Sequence, residues 1–212
     1  MSGIKQILNR KLFQDATADE LHWLSKYVNN VLSNVTSDSW HQSSGVFHAS
    51  VLGNTCDRYI YLHYHGMLPK RPVSPQLQRI FDHGNITQRR FHSYFERGGI
   101  LLGAEVSATL SSPPIKGRAD YVIRSDKNKF VVELKTINDY GFGNLERGAK
   151  PEHVIQLQTY LNLLKINNGI LLYENKNDQR MKMFDVTMDV NLWNGVLERC
   201  LRIQKMGEMP SI

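Results

Sequence analysis

Asp120, Glu133 and Lys135 are spaced so that a single β-hairpin would bring two carboxylates and an ammonium together. The turn-forming run Ser125-Asp126-Lys127-Asn128-Lys129 separates two strand-like runs, Tyr121-Val122-Ile123 and Phe130-Val131-Val132. With the loop centred between Asp126 and Lys127, antiparallel pairing sets Asp120 opposite Glu133 and Arg118 opposite Lys135; an odd loop would slip the register by one. Side chains alternate along a strand, so Arg118, Asp120, Glu133 and Lys135 are expected on one face. Ala119, Tyr121, Ile123, Phe130, Val132 and Leu134 are expected on the other. Directly opposed carboxylates repel by roughly 0.2–1 kcal/mol, and by more in a dry site. A divalent cation converts that cost into binding. Carboxylate oxygens without Cys or His at ligand spacing suit a hard ion, Mg²⁺ or Mn²⁺. Lys135 would then either orient a water or stabilise a phosphorane-like charge. The chemistry implied is metal-assisted hydrolysis of a phosphodiester; the plain alternative is an amphipathic hairpin with a solvated charged face.

The elements that must position these groups are legible from periodicity. After Pro75, Leu77, Phe81, Gly84, Gln88, Phe91 and Phe95 recur at helical spacing as an inward stripe with one polar member, Gln88. Arg89, Arg90 and Arg97 fall on the opposite face as a basic surface, and His92 lies one turn beyond Gln88. Residues 99–110 alternate as a strand that Ser111-Ser112-Pro113-Pro114 breaks. From Thr136 to Lys150 the chain is glycine-rich and irregular; Tyr140, Phe142 and Arg147 there either grip a DNA strand by stacking or anchor the loop. Pro151 starts a helix whose core stripe is Val154, Leu157, Leu161 and Leu164, leaving Gln156 and Tyr160 one turn apart on a second face. Strands over 169–173 and 181–186 follow, then an amphipathic helix through Leu192, Val196, Cys200 and Ile203. Upstream, Thr17-Ala18-Asp19-Glu20 is a capping box before Leu21, Leu24, Val28 and Leu32, and a polar loop from Ser33 to Gly45 contains Trp40 and His41. Ser50 is read as the cap of a helix burying Leu52, Cys56, Tyr59 and Ile60. Nearby Arg58, Lys70 and Arg71 either contact phosphate or are solvated charge. The order of elements gives an α/β fold, a central mixed sheet flanked by helices, with an N-terminal helical extension over 1–45 and the main domain over 46–212.

Composition agrees with such a domain. The 212 residues, 41% hydrophobic, suffice for one sizeable core, and the net charge of +6 suits a polyanionic partner. No apolar run reaches the length of a membrane span and Met1-Ser2-Gly3-Ile4-Lys5 is no secretory signal, so a cytoplasmic protein of a bacterial or phage-infected cell is expected. Cys56 and Cys200 form neither a disulfide framework nor a zinc pattern.

Asp120, Glu133-x-Lys135 and Gln156-x-x-x-Tyr160, preceded by Gly84-x-x-x-Gln88, resemble the PD-(D/E)XK nuclease superfamily and its RecB-type branch. That branch includes phage recombination exonucleases and the CRISPR-adaptation nucleases. The resemblance covers roughly residues 46 to 190 and implies a restriction-endonuclease-like core. It implies a metal held by Asp120, Glu133 and the Leu134 carbonyl, with Gln88 beside it as a ligand, as the holder of a metal-bound water or as the partner of a backbone group, and His92 as a second candidate. Lys135, Gln156 and Tyr160 would complete the catalytic set, the last two positioning the scissile phosphate or the water. Relatives carry a Ser…Cys-x-Arg helix like the one here, and in the adaptation nucleases its cysteine joins three others near the C-terminus on an iron–sulphur cluster. With Cys200 alone in that region no such cluster is expected, and Cys56 is read as a buried small residue. Arg58, Arg89, Arg118, Tyr140 and Lys150 are the expected DNA contacts. The activity expected is that of a Mg²⁺- or Mn²⁺-dependent DNA exonuclease processing double-stranded ends or single strands in recombination, repair or phage replication, with a single-strand annealing protein as a candidate partner. The alternatives are a structure-selective or restriction-like endonuclease using the same residues, and a nuclease-like DNA-binding or partner-docking module without catalysis.

Overall fold

The computed structural model describes residues 23–35, 44–69 and 73–211. Residues 23–35 and 73–81 group as one unit, and 44–69 with 82–211 as a second. The first unit contains helix α1 (Trp23–Val35), with Leu24 and Val28 on exposed surface, and an Arg79 to Asn29 hydrogen bond of 2.8 Å. The capping box at Thr17, Leu21, Trp40, His41, Lys70 and Arg71 lie outside the described residues.

The second unit is built on a six-stranded mixed sheet. Its elements run β1 (Phe47–His48), α2 (Ala49–Leu52), α3 (Asp57–Tyr64), α4 (Pro75–Arg97, whose first turns count with the other unit), β2 (Leu101–Leu110), β3 (Ile115–Ser125) and β4 (Asn128–Ile137). Then follow α5 (Asp139–Asn144), a 3-10 turn (Leu145–Arg147), α6 (Pro151–Leu164), β5 (Asn168–Asn175), β6 (Met181–Thr187) and α7 (Val190–Lys205). β5 is parallel to β4 and covered on both faces, which is why Ile170 to Tyr173 reads as an unbroken apolar run. β6 pairs only with β5 and alternates exposed with half-buried residues, as an edge strand does.

Two cores sandwich β4 and β5. Val131, Leu171 and Tyr173 pack with Leu157, Tyr160 and Leu161 of α6. Val132, Leu134 and Leu172 pack on the other face with Phe91, Tyr121 and Ile123. A third cluster joins Phe47 and Ile115 to Ile60 of α3 and Trp193, Cys200 and Ile203 of α7. Among the described residues no helix is long and apolar enough to cross a membrane.

Four local expectations are corrected. Ser50 does not cap a helix: His48 precedes α2, and Gly53 ends it where a Cβ would lie 2.4 Å from the Glu152 carbonyl oxygen of α6. The chain restarts at α3 with Cys56 as its N-cap, so Cys56 is exposed rather than buried, Tyr59 is 39% exposed, and Leu52 and Ile60 alone of that stripe are buried. The inward stripe of α4 holds only in its second half: Leu77 and Phe81 are exposed, while Phe91 is buried and Phe95 meets Tyr121 edge-on. The segment after β4 is helical, not irregular, because Asn138 accepts the Gly141 N–H at 2.8 Å as an N-cap and buried Leu145 anchors the turn.

Candidate metal centre

The β3–β4 ladder runs from Ser125↔Asn128 to Tyr121↔Val132, the register that sets Asp120 opposite Glu133. It stops there. β3 continues along β2 on its other edge, and β1 joins only at Lys116 and Ile115. Among the described residues, 117–120 therefore lack a strand partner on one edge, and the site is built into this gap. Asp120 spans it with its side chain, Oδ2 accepting the Leu134 N–H at 2.8 Å. Gly117 lets α6 approach: a Cβ there would sit 2.6 Å from Tyr160 Cε1 and 2.7 Å from Ala49 Cβ.

The gap also breaks the strict alternation expected of β3. Ala119 packs with Tyr160 and Leu157, whereas Tyr121 and Ile123 pack on the α4 face. Opposite Asp120 in the β2–β3 register stands Glu105, which drops out of the ladder between Ala104↔Tyr121 and Val106↔Ala119 and has φ +50°. A non-glycine residue in that region is strained, and such strain gathers at functional sites. Its carboxylate meets Arg118 at 3.0 Å, both side chains more than half exposed.

Glu133 is 2% exposed and its Oε1 is doubly engaged, by Lys135 Nζ at 2.8 Å and Gln156 Nε2 at 2.7 Å. The Gln156 Oε1 in turn accepts from Lys135 Nζ at 3.0 Å, and its Nε2 also donates to the Tyr160 hydroxyl at 3.1 Å. Both Gln156 N–H donors and one lone pair of its oxygen are thus engaged by neighbours, which favours one amide orientation: oxygen toward the ammonium, nitrogen toward the carboxylate. Gln88 reaches Asp120 Oδ1 with Nε2 at 3.3 Å. A cleft of about 490 Å³ opens beside these groups, lined among others by His48, Gln88, Lys116, Arg118, Asp120 and Gln156.

Electrostatics follow from burial. Loss of hydration, then the charge of Asp120, pushes the Glu133 carboxyl up to about 8 against the opposing pull of Lys135. Burial also raises Asp120, opposed by the Leu134 N–H and Lys135. Burial, then Glu133, keeps the Tyr160 phenol protonated. The Oε2 of Glu133 is buried with no hydrogen-bond partner. Native proteins rarely leave such an atom orphaned. Among the described residues no group of three or more His, Cys, Asp or Glu could hold a metal, so any ion here draws on carboxylate and carbonyl oxygens. Two dehydrated carboxylates, one with an unclaimed oxygen, fit a hard divalent cation.

The other expected contacts divide. Arg118 lines the cleft, and exposed Arg89 lines an adjoining groove with His92 and Gln88. His92 itself is partly exposed and lies 4.0 Å from Glu96. Arg58 donates to the Pro210 carbonyl at 3.3 Å and does not line the cleft. Arg90 leaves the expected basic face to bind both oxygens of buried Glu174 at 2.5 Å. Tyr140 is 82% exposed on α5, and Lys150 is the residue before α6, its N–H donating to the Tyr173 hydroxyl at 3.2 Å. Lys116, Glu105 and His153 were not singled out from sequence. His153 was readable, since 153, 156 and 160 share one helix face; Glu105 was not, because its position depends on the strain in β2.

No protein-family model matches the chain, and no curated protein matches it in sequence. Solved structures do. The protein SSO0001 aligns with a TM-score of 0.58 at 19% identity over 89% of each chain. LHK-Exo, an alkaline exonuclease from Laribacter hongkongensis, aligns with 0.54 at 10% identity over 84% of this chain and 90% of its own. Its complex with dAMP gives 0.55 at 12% identity, over 79% and 90%. At such identities the likeness is one of fold. The protein has an exonuclease-type α/β fold, the architecture that the Asp120, Glu133-x-Lys135 and Gln156-x-x-x-Tyr160 resemblance implies.

Proposed function

We propose that the protein is a nuclease, and specifically a Mg²⁺- or Mn²⁺-dependent DNA exonuclease that hydrolyses phosphodiester bonds at DNA ends. The observation that carries this reading is Glu133: buried, half satisfied by Lys135 and Gln156, and left with one unpartnered oxygen near the half-buried Asp120 carboxylate. Asp120, Glu133 and the Leu134 carbonyl would hold the cation, which when bound polarises the phosphoryl group and lowers the pKa of water. The chain's own residues do the rest. Lys135 offsets negative charge developing on the phosphoryl oxygens. Gln156 holds Lys135 and Glu133 at fixed separation, Tyr160 holds Gln156, and Gln88 steadies Asp120. The fold shared with an alkaline exonuclease, one crystal of which contains dAMP, supports an exonuclease over other phosphodiesterases. End processing in recombination, repair or phage replication, alongside an annealing protein, is the setting this reading implies.

The test is digestion of end-labelled linear DNA beside a covalently closed circle, with Mg²⁺ or Mn²⁺, and with Glu133→Ala in parallel. Nucleotide release from the linear substrate alone, absent in the variant, is the expected result. Cutting of the circle would make it an endonuclease, and metal-independent inertness toward both a binding module.

A further inference from the structure

The side chains at the start of α6 extend the site beyond Gln156. His153 lies one turn before Gln156, and its Nδ1 is 2.8 Å from the Tyr173 hydroxyl. Tyr173 is directly opposite Lys135 in the β4–β5 register, on the α6 face. The Tyr173 oxygen already accepts the Lys150 N–H at 3.2 Å. Its own proton is therefore free to go to His153 Nδ1, and a histidine that accepts at Nδ1 carries its proton at Nε2. The buried side-chain polar atoms without partners, among the described residues, are His65 Nε2, His83 Nε2, Arg90 Nε and Glu133 Oε2. His153 Nε2 is not one of them, and no hydrogen bond to it is present among the described residues, so this atom of a half-buried side chain is not sealed from solvent.

We propose that His153 is a phosphate contact of the bound polynucleotide, its neutral Nε2–H donating to a non-bridging phosphodiester oxygen beside Lys135. The inference rests on the nuclease reading of the same site. Burial, then the charges of Lys135 and Lys150, push the imidazole down to about 3, and burial raises the Tyr173 phenol to about 12. The donor pair is consequently constant across the working pH range. A neutral donor suits this place, because a second cation against Lys135 would be repelled, whereas an N–H to a charged oxygen adds a directional bond.

The experiment compares wild type, His153→Phe, His153→Gln and Tyr173→Phe on linear DNA with stereodefined phosphorothioate linkages, alongside melting temperatures. The expected result is a loss of kcat/KM of about ten- to a hundredfold in His153→Phe, the range for a hydrogen bond to a charged group. His153→Gln, which keeps a donor, recovers part of it. Sulphur at the contacted oxygen slows wild type more than His153→Phe, a difference that a structural role would not produce. Equal sulphur effects in the two proteins, or His153→Phe at wild-type rate, would overturn the contact while leaving the nuclease intact. If His153→Phe does not fold, His153→Gln and Tyr173→Phe carry the comparison, with a sulphur effect smaller than that of wild type in Tyr173→Phe. Should wild type cut nothing, the nuclease reading fails on its own, and equal duplex affinities of wild type and His153→Phe would then remove the contact as well.

Discussion

Glu133 on β4 and Glu174 on β5 are two carboxylates of nearly equal burial, 2% and 3% exposed, on adjacent parallel strands. Each has a basic partner, yet they are finished differently. Arg90 sets a single terminal nitrogen, Nη2, against both oxygens of Glu174, so neither carboxylate oxygen is left bare, although Arg90 Nε itself has no partner. Lys135 and Gln156 both converge on one oxygen of Glu133 and leave the other bare. The guanidinium nitrogen lies within reach of both Glu174 oxygens, whereas the Lys135 ammonium meets one oxygen of Glu133. A closed pair stabilises the fold; an open one keeps a ligand position at a cost in stability. The difference separates a structural ion pair from a candidate site more sharply than burial or charge does.

The largest effect expected is on catalysis. Glu133→Gln keeps the shape of the side chain but removes its charge, and cutting of linear DNA should fall by on the order of a thousandfold, measured as initial rate with Mn²⁺, while the protein stays folded. Glu174→Ala should do the reverse. It strands a partly buried guanidinium, at a cost of about 3 kcal/mol, the low end for a broken buried pair because Arg90 is a third exposed. That corresponds to a melting temperature lower by roughly 6–12 °C, with the rate per folded molecule unchanged. A rate loss as large as that of Glu133→Gln would erase the distinction.

Gln156→Leu removes the group that spaces Lys135 from Glu133 and should reduce kcat by about ten- to a hundredfold with KM little changed, since both Gln156 N–H donors are taken by protein partners and its oxygen holds Lys135. A selective rise in KM would instead make it a substrate contact. The smallest effect is in stability against pH without divalent ions. Glu133 binds its proton more tightly folded than unfolded, so this group's contribution is full below about 4.5 and is lost as pH rises toward about 8. Melting temperature in chelator should therefore decline across that window. Mg²⁺ or Mn²⁺ should oppose the decline, and Glu133→Gln should flatten it.

Much of the site was legible because hairpin and helix periodicities are local. The loop at Asp126-Lys127 fixed the register that opposes Asp120 to Glu133, and Pro151 fixed the helix face that carries Gln156 and Tyr160. Cys56 was misread because the helix around it ends at Gly53, under a contact from Glu152 almost a hundred residues away. Arg90 was read as surface because its partner lies on a strand that no spacing along α4 reveals.

By itself, then, the sequence determined most element types, the hairpin register and which residues could meet on one face, since these depend on neighbours within a few positions. Tertiary structure alone decided that β3 parts from β4 at Asp120, that Tyr160 enters beside Gly117, and that the Tyr173 hydroxyl meets His153 Nδ1. It also decided which of two buried carboxylates keeps an oxygen free. Burial and hydrogen-bond completion are properties of surfaces brought together from distant parts of the chain, and no local pattern encodes them.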